Sequence, residues 1–299
     1  MSPRPTFMSV LTYAAAQLIR ALPRAHVSRA AGRLADVKWG DGLGRAVVSL
    51  YSRFYDVDFA DCEQTSGFRS FDEFFTRPLR PSARPVVADP RVLVSPADGR
   101  IESMGAIDAS TTFMVKGRPY RVEELVGDAN EARRFAGGSG CVVYLSPRDY
   151  HRVHAPVGGV IRKIRSLPGD YFPVNSIGIA HVPNLFARNR RVAIEIDADG
   201  DLGRVTVVMV VAMIVGRITV TGVDSRDVPL GEHTFDTPLR VERGGEIGMF
   251  HLGSTAVVLA EKKASGKWLA GEGPIRVGEA LLEASREKAN GRAASEGAR

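Results

Sequence analysis

Residues 205–215, Val-Thr-Val-Val-Met-Val-Val-Ala-Met-Ile-Val, constrain the fold of this 299-residue chain most strongly. The run is too short for a spanning helix, which needs about 20 apolar residues. It is dense in β-branched side chains and stops at Gly216, so it predicts one or two strands buried on both faces. Shorter runs of the same texture recur between glycines at 92–94, 141–145, 159–161, 192–196, 218–220 and 256–260. Together they predict a β-rich domain of antiparallel sheets over residues 86–284. The fold class expected is α+β, because the first 85 residues read differently.

Phe7, Met8, Leu11, Ala15, Leu18, Ile19 and Leu22 recur at helical spacing and share one face. Arg20 and Arg24 fall on the other. Residues 1–35 contain five arginines and no Asp or Glu. An apolar face backed by purely basic residues fits a helix lying in an anionic membrane interface. Residues 1–40 are therefore expected to be a membrane-docking helical region. Its membrane-binding residues would be Phe7, Met8, Leu11, Leu18, Ile19, Leu22, Arg20 and Arg24. Two alternatives stand beside this: a helix packed on its own domain, and a secretory signal with 7–16 as its apolar core. Residues 41–85 read as helical, ending in a Pro-rich connection, and 285–299 as a disordered tail.

The net charge of +6 suits an anionic partner. The basic residues are scattered and match no nucleic-acid module, so no nucleic acid is expected. Cys62 and Cys141 lack the spacing of a disulfide framework or zinc ribbon.

Leu252-Gly253-Ser254-Thr255 carries the most chemistry. A serine after glycine can attack the preceding carbonyl and convert the peptide bond to an ester. Elimination then leaves the serine as an N-terminal pyruvoyl group. Glycine before it removes the Cβ that would hinder a strained, attack-ready backbone. A second Gly-Ser, Gly138-Ser139, reads as a flexible turn. A nucleophilic serine needs a base and the base an orienting carboxylate. Residues 144–156 offer His151 and His154; residues 95–100 offer Asp98. The His-x-x-His pair has no third ligand cluster nearby, so no metal is expected. Ser254 lies in no Gly-x-Ser-x-Gly elbow, which argues against a serine hydrolase.

These blocks, in this order, resemble the phosphatidylserine decarboxylase family in its bacterial, pyruvoyl-dependent form. The similarity extends through Phe71-Asp-Glu-Phe-Phe-Thr-Arg-Pro-Leu-Arg80, Leu167-Pro-Gly-Asp170 and the segment 182–189. The resemblance implies that Ser254 becomes the pyruvoyl group after cleavage between Gly253 and Ser254. It implies Asp98 and His154 as the carboxylate and base of cleavage, and His151 as an active-site histidine for substrate handling or proton transfer. Cleavage would leave chains of 253 and 46 residues. The activity implied is decarboxylation of phosphatidylserine through a Schiff base, giving phosphatidylethanolamine and carbon dioxide. The implied setting is peripheral, on the cytoplasmic side of the cell membrane, with the large and small chains together and a homodimer as the family's assembly. A pyruvoyl enzyme for a soluble amino acid, or a non-catalytic protein that binds anionic lipid, are the competing readings.

Overall fold

The computed structural model describes residues 23–214 and 217–285. The apolar positions Phe7, Met8, Leu11, Leu18, Ile19 and Leu22, together with Arg20 and the tail from 286, lie outside them.

Three helices come first: α1 (Arg24–Ala35), α2 (Asp41–Tyr55) and α3 (Phe71–Phe75). Strands β1 (Val92–Val94), β2 (Gly99–Ala106), β3 (Thr112–Val115) and β4 (Arg118–Arg121) follow. After two short helices, α4 (Val122–Val126) and α5 (Ala129–Arg133), come β5 (Ser139–Leu145), β6 (Arg152–His154) and β7 (Gly159–Leu167). Helices α6 (Ser176–His181) and α7 (Leu185–Arg188) lead into β8 (Arg191–Ala198), β9 (Arg204–Val211) and β10 (Arg217–Val220). The chain then forms β11 (Gly231–His233), β12 (Leu239–Val241), β13 (Glu246–His251) and β14 (Ser254–Ala260). It closes with β15 (Gly266–Trp268), β16 (Gly273–Ile275) and β17 (Ala280–Ala284).

Nine strands form the main sheet, in the order β11-β7-β8-β9-β14-β5-β2-β16 with β12 also on β7. All its pairings are antiparallel, as the sequence predicts. Strand β14 lies between β5 and β9, and each of its seven residues is buried. Continuous apolar runs suit such a strand because both faces are covered. Burying Val257, Val258 and Leu259 contributes on the order of 1.5–3 kcal/mol each. The dense run at 205–211 forms β9, also buried along its length.

A second sheet, β10-β13-β6, stands beside the first. The chain leaves β13 of this sheet at His251 and enters β14 of the main sheet at Ser254. Only Leu252 and Gly253 make that crossing. A corner so tight requires an unusual backbone, and Leu252 supplies it with φ of +96°.

The helical region has its own aromatic cluster. Phe74 is fully buried with Val48 and Phe68, and Tyr51 and Phe71 pack edge-on against it. Helix α3 starts cleanly because the Ser70 hydroxyl accepts the Glu73 N–H at 3.1 Å. The Glu73 carboxylate returns to the Arg69 N–H at 2.6 Å. This is close to a capping box, shifted by one residue.

Gly138-Ser139 departs from the expected flexible turn. Ser139 opens β5 and sits opposite Ala260, the last residue of β14. Close packing of the neighbouring strand, rather than freedom, explains the glycine: a Cβ on Gly138 would lie 2.1 Å from the Ala260 carbonyl oxygen.

Candidate active site

Ser254 is the first residue of β14, opposite Leu145 and Val211. It is 1% exposed, and its hydroxyl has no hydrogen-bond partner among the described residues. A buried hydroxyl without a partner is costly, and such orphans cluster where function needs them. Immediately before it stands the left-handed Leu252. The sequence places the backbone strain at Gly253; the structure places it one residue earlier, on a side chain that rarely adopts it. Gly253 is instead open. A Cβ built there would meet nothing nearer than 3.9 Å, where it would face His151 Nε2 and the Leu145 carbonyl.

His151 reaches this point from a turn, residues 146–149. The Asp149 carboxylate accepts the Ser146 N–H at 2.7 Å. The helical region pins the same turn: Tyr51 donates to the Pro147 carbonyl at 3.1 Å, and Arg77 to that of Arg148 at 3.2 Å. His151 is fully buried, with the Phe75 ring 4.1 Å from its own. Its Nδ1–H donates to the Asp149 carbonyl at 2.8 Å. That bond sets the tautomer, so Nε2 carries the free lone pair, and Nε2 has no partner. Burial pushes the imidazole down to about 3, so it is neutral at physiological pH.

His154 lies further along, on β6 and opposite Glu246. Both its ring nitrogens are engaged: Nδ1–H donates to the Gly244 carbonyl at 2.8 Å, and Nε2 accepts from the Tyr150 hydroxyl at 3.1 Å. Burial lowers its pKa, with partial relief from the Gly244 bond and from Glu246 and Asp98 nearby. The Asp98 carboxylate accepts from Arg84 Nε at 2.9 Å and from the Val277 N–H at 2.9 Å. Burial pulls the Arg84 guanidinium down, but pairing with Asp98 and Asp61 more than offsets it and leaves the pKa raised. As folded, then, His151 lies beside Gly253, whereas His154 and Asp98 face Tyr150 and Arg84.

A polar cavity of about 380 Å3 opens beside this second group, lined by Arg84, Asp98, Arg148, Tyr150 and Arg276 among others. Neither Ser254 nor His151 lines it. Arg24, expected at the membrane, pairs with Asp170 at 2.7 Å and lies over the Phe172 ring. Arg84, Tyr150 and Phe75 carry no chemical signature in the sequence that marks them as part of a site. Arg84 stands 14 residues before Asp98 and Phe75 is much further from His151, and no local pattern connects either pair. Tyr150 and His154 stand only four residues apart, a spacing the sequence does show.

Comparison with known proteins gives the family. The sequence model of the phosphatidylserine decarboxylase family matches residues 71–283, well over half the chain. A phosphatidylserine decarboxylase proenzyme of Anaeromyxobacter sp. (strain K) is 37% identical over 271 residues, 88% of this chain and 95% of its own length. One from Azotobacter vinelandii is 38% identical over 278 residues, covering 88% of this chain and 96% of that protein. One from Acinetobacter baumannii is 40% identical over 247 residues, 81% and 85% of the two chains. With the matched span running from α3 to β17 and including the strained corner at Ser254, the chain belongs to the phosphatidylserine decarboxylase family.

Proposed function

We propose that this chain cuts itself between Gly253 and Ser254 and, with the pyruvoyl group so formed, decarboxylates phosphatidylserine to phosphatidylethanolamine. The observation that carries the reading is the corner itself. A left-handed Leu252 precedes a buried, unpartnered serine hydroxyl, and the bare Nε2 of a neutral histidine lies against Gly253.

In the first step the Ser254 hydroxyl adds to the Gly253 carbonyl, and a histidine takes its proton. The C–N bond breaks, its nitrogen takes a proton, and an ester forms. The Ser254 α-proton then leaves, the Cβ–O bond breaks, and Gly253 departs as a carboxylate. The dehydroalanine left behind tautomerises, and water releases ammonia to give the ketone. Burial has a purpose in this sequence: water reaching the ester would hydrolyse it and simply restore the serine. The orphaned hydroxyl of Ser254 and the unpartnered His151 Nε2 fit a pyruvoyl group at residue 254. That group supplies an electron sink for loss of carbon dioxide from a bound amine.

His151 lies beside Gly253 as folded, which suits substrate handling or proton transfer next to residue 254. Asp98, His154 and Ser254 are proposed as the cleavage triad that the resemblance implies. That role requires His154 Nε2 to exchange the Tyr150 hydroxyl for the serine. The two chains would stay together, because β14 of the small chain lies between β5 and β9 of the large one.

Membrane docking is part of the same proposal. No helix among the described residues is long and apolar enough to cross a membrane. Helix α2 exposes Leu43, Leu50 and Phe54 along one stripe, at 62%, 73% and 78%. A stripe of this kind next to a basic, acid-free N-terminus fits the interface of an anionic, cytoplasmic leaflet. Arg24 is held by Asp170, so the attraction would come from the other arginines.

Intact mass under denaturing conditions tests the first claim. Two chains meeting at 253/254, the small one with a blocked N-terminus, support it; a wild-type chain that stays whole when active protein is expected overturns it. Carbon dioxide release from phosphatidylserine vesicles but not from free serine supports the lipid substrate. The reverse would point to a soluble amino acid.

A further inference from the structure

We infer that Asp72 and His251 form a positioning pair that holds the corner at Leu252 in its attack-ready shape. The inference rests on the self-cleavage reading and adds to it the element that sets the geometry. His251 is the last residue of β13, three before Ser254, and is 7% exposed. Its Nδ1–H donates to Asp72 Oδ1 at 2.7 Å, and its Nε2 meets the Thr219 hydroxyl at 3.2 Å. Arg217 faces His251 directly across the strand pair and takes the other oxygen, Asp72 Oδ2, at 2.8 Å. Asp36, just beyond α1, fixes Arg217 in turn through two bonds of 2.6 Å.

Asp72 belongs to α3, and so does Phe75, three residues on and therefore on the same side of the helix. Phe75 packs on the His151 ring. One short helix thus touches both halves of the cleavage geometry. Asp72 grips the strand end that leads into Leu252, and Phe75 backs the imidazole that faces Gly253. A leucine in the left-handed region persists only where its surroundings over-determine it. The charge-assisted bond at His251 supplies that constraint on the N-terminal side, and the β14 ladder supplies it on the C-terminal side. After cleavage, residues 251–253 become a chain end, and the grip no longer bears on residue 254.

The test is a maturation time course on freshly made full-length chains, read as the ratio of whole to cut protein. Asp72→Ala and His251→Ala should each slow cleavage by roughly tenfold or more, the usual scale for a misplaced reacting group. The double variant should be no slower than the worse single. His251→Asn, which keeps a donor where Nδ1 sits, should recover part of the rate, as should Asp72→Asn. Turnover per pyruvoyl group formed should fall far less than the cleavage rate. Folded single variants that mature at the wild-type rate would overturn the proposal. So would cleavage and turnover falling in parallel with thermal stability, or no recovery with either Asn variant, since each indicates a purely structural pair. A wild-type chain that never cuts, with Ser254→Ala indistinguishable from it, would instead remove the self-cleavage reading beneath it.

Discussion

The chain contains two Gly-Ser steps that look alike in sequence and sit at opposite ends of one strand pair. Ser139 opens β5 opposite Ala260, and Ser254 opens β14 opposite Leu145. At the first, the glycine is locked. Its N–H donates to the Phe135 carbonyl, and its carbonyl accepts the Ile107 N–H, both at 2.9 Å. The Ala260 carbonyl leaves no room for a Cβ. At the second, the glycine is uncrowded, the residue before it is strained, and a bare imidazole nitrogen lies alongside. The dipeptide is the same. What differs is what the neighbouring sheet brings to it.

Substitution at the two serines gives the sharpest contrast. Ser254→Ala is expected to abolish cleavage and activity, whereas Ser139→Ala should cut normally; mass spectrometry reads both. Cleavage in the Ser254 variant would break the comparison outright. Next comes the imidazole. His151→Ala should slow the appearance of two chains by about 10²-fold or more, the usual scale for a lost acid–base group. A wild-type time course in that variant would leave the cleavage step to His154 of the proposed triad and confine His151 to proton transfer on the substrate.

The glycines should part in the opposite direction, on stability. Gly138→Ala forces a methyl into the Ala260 carbonyl and should cost about 3 kcal/mol. Gly253→Ala should change stability by less than about 1 kcal/mol. Urea unfolding in the uncleavable Ser254→Ala background compares them, and equal losses would mean that Gly253 is as crowded as Gly138.

Acid gives the smallest effect. His151 sits at about 3 when folded, below its value near 6.5 when unfolded. Between those values the unfolded chain binds the extra proton, so stability is whole above about pH 6.5 and declines as pH falls toward 3. By pH 5 the loss from His151 is roughly 2 kcal/mol. His151→Gln should flatten that part of the urea profile, and an unchanged slope would mean that the ring is not buried neutral.

Much of the frame was legible in the chain. The run at 205–211 became β9, and 141–145 and 256–260 became β5 and β14, because β-branched residues in short unbroken runs suit strands covered on both faces. Helix α1 lies within the helical region expected over residues 1–40. The site was legible only as residue types and a family resemblance. That His151 rather than His154 lies against Gly253 follows from the register of β6 with β13, which no local pattern specifies. Asp72, 179 residues before His251, carries no signal of its own beyond its place in a helix start.

By itself, then, the sequence determined that the short apolar runs such as 141–145, 205–211 and 256–260 become buried strands, and that a serine follows a glycine at 253. These follow from side-chain shape and intrinsic chemistry, which are local properties. Tertiary structure alone decided which of two Gly-Ser steps is strained, which histidine meets it, and which helix holds it in place. Those depend on contacts between residues far apart in the chain, formed only when two sheets and a helix close around a two-residue corner.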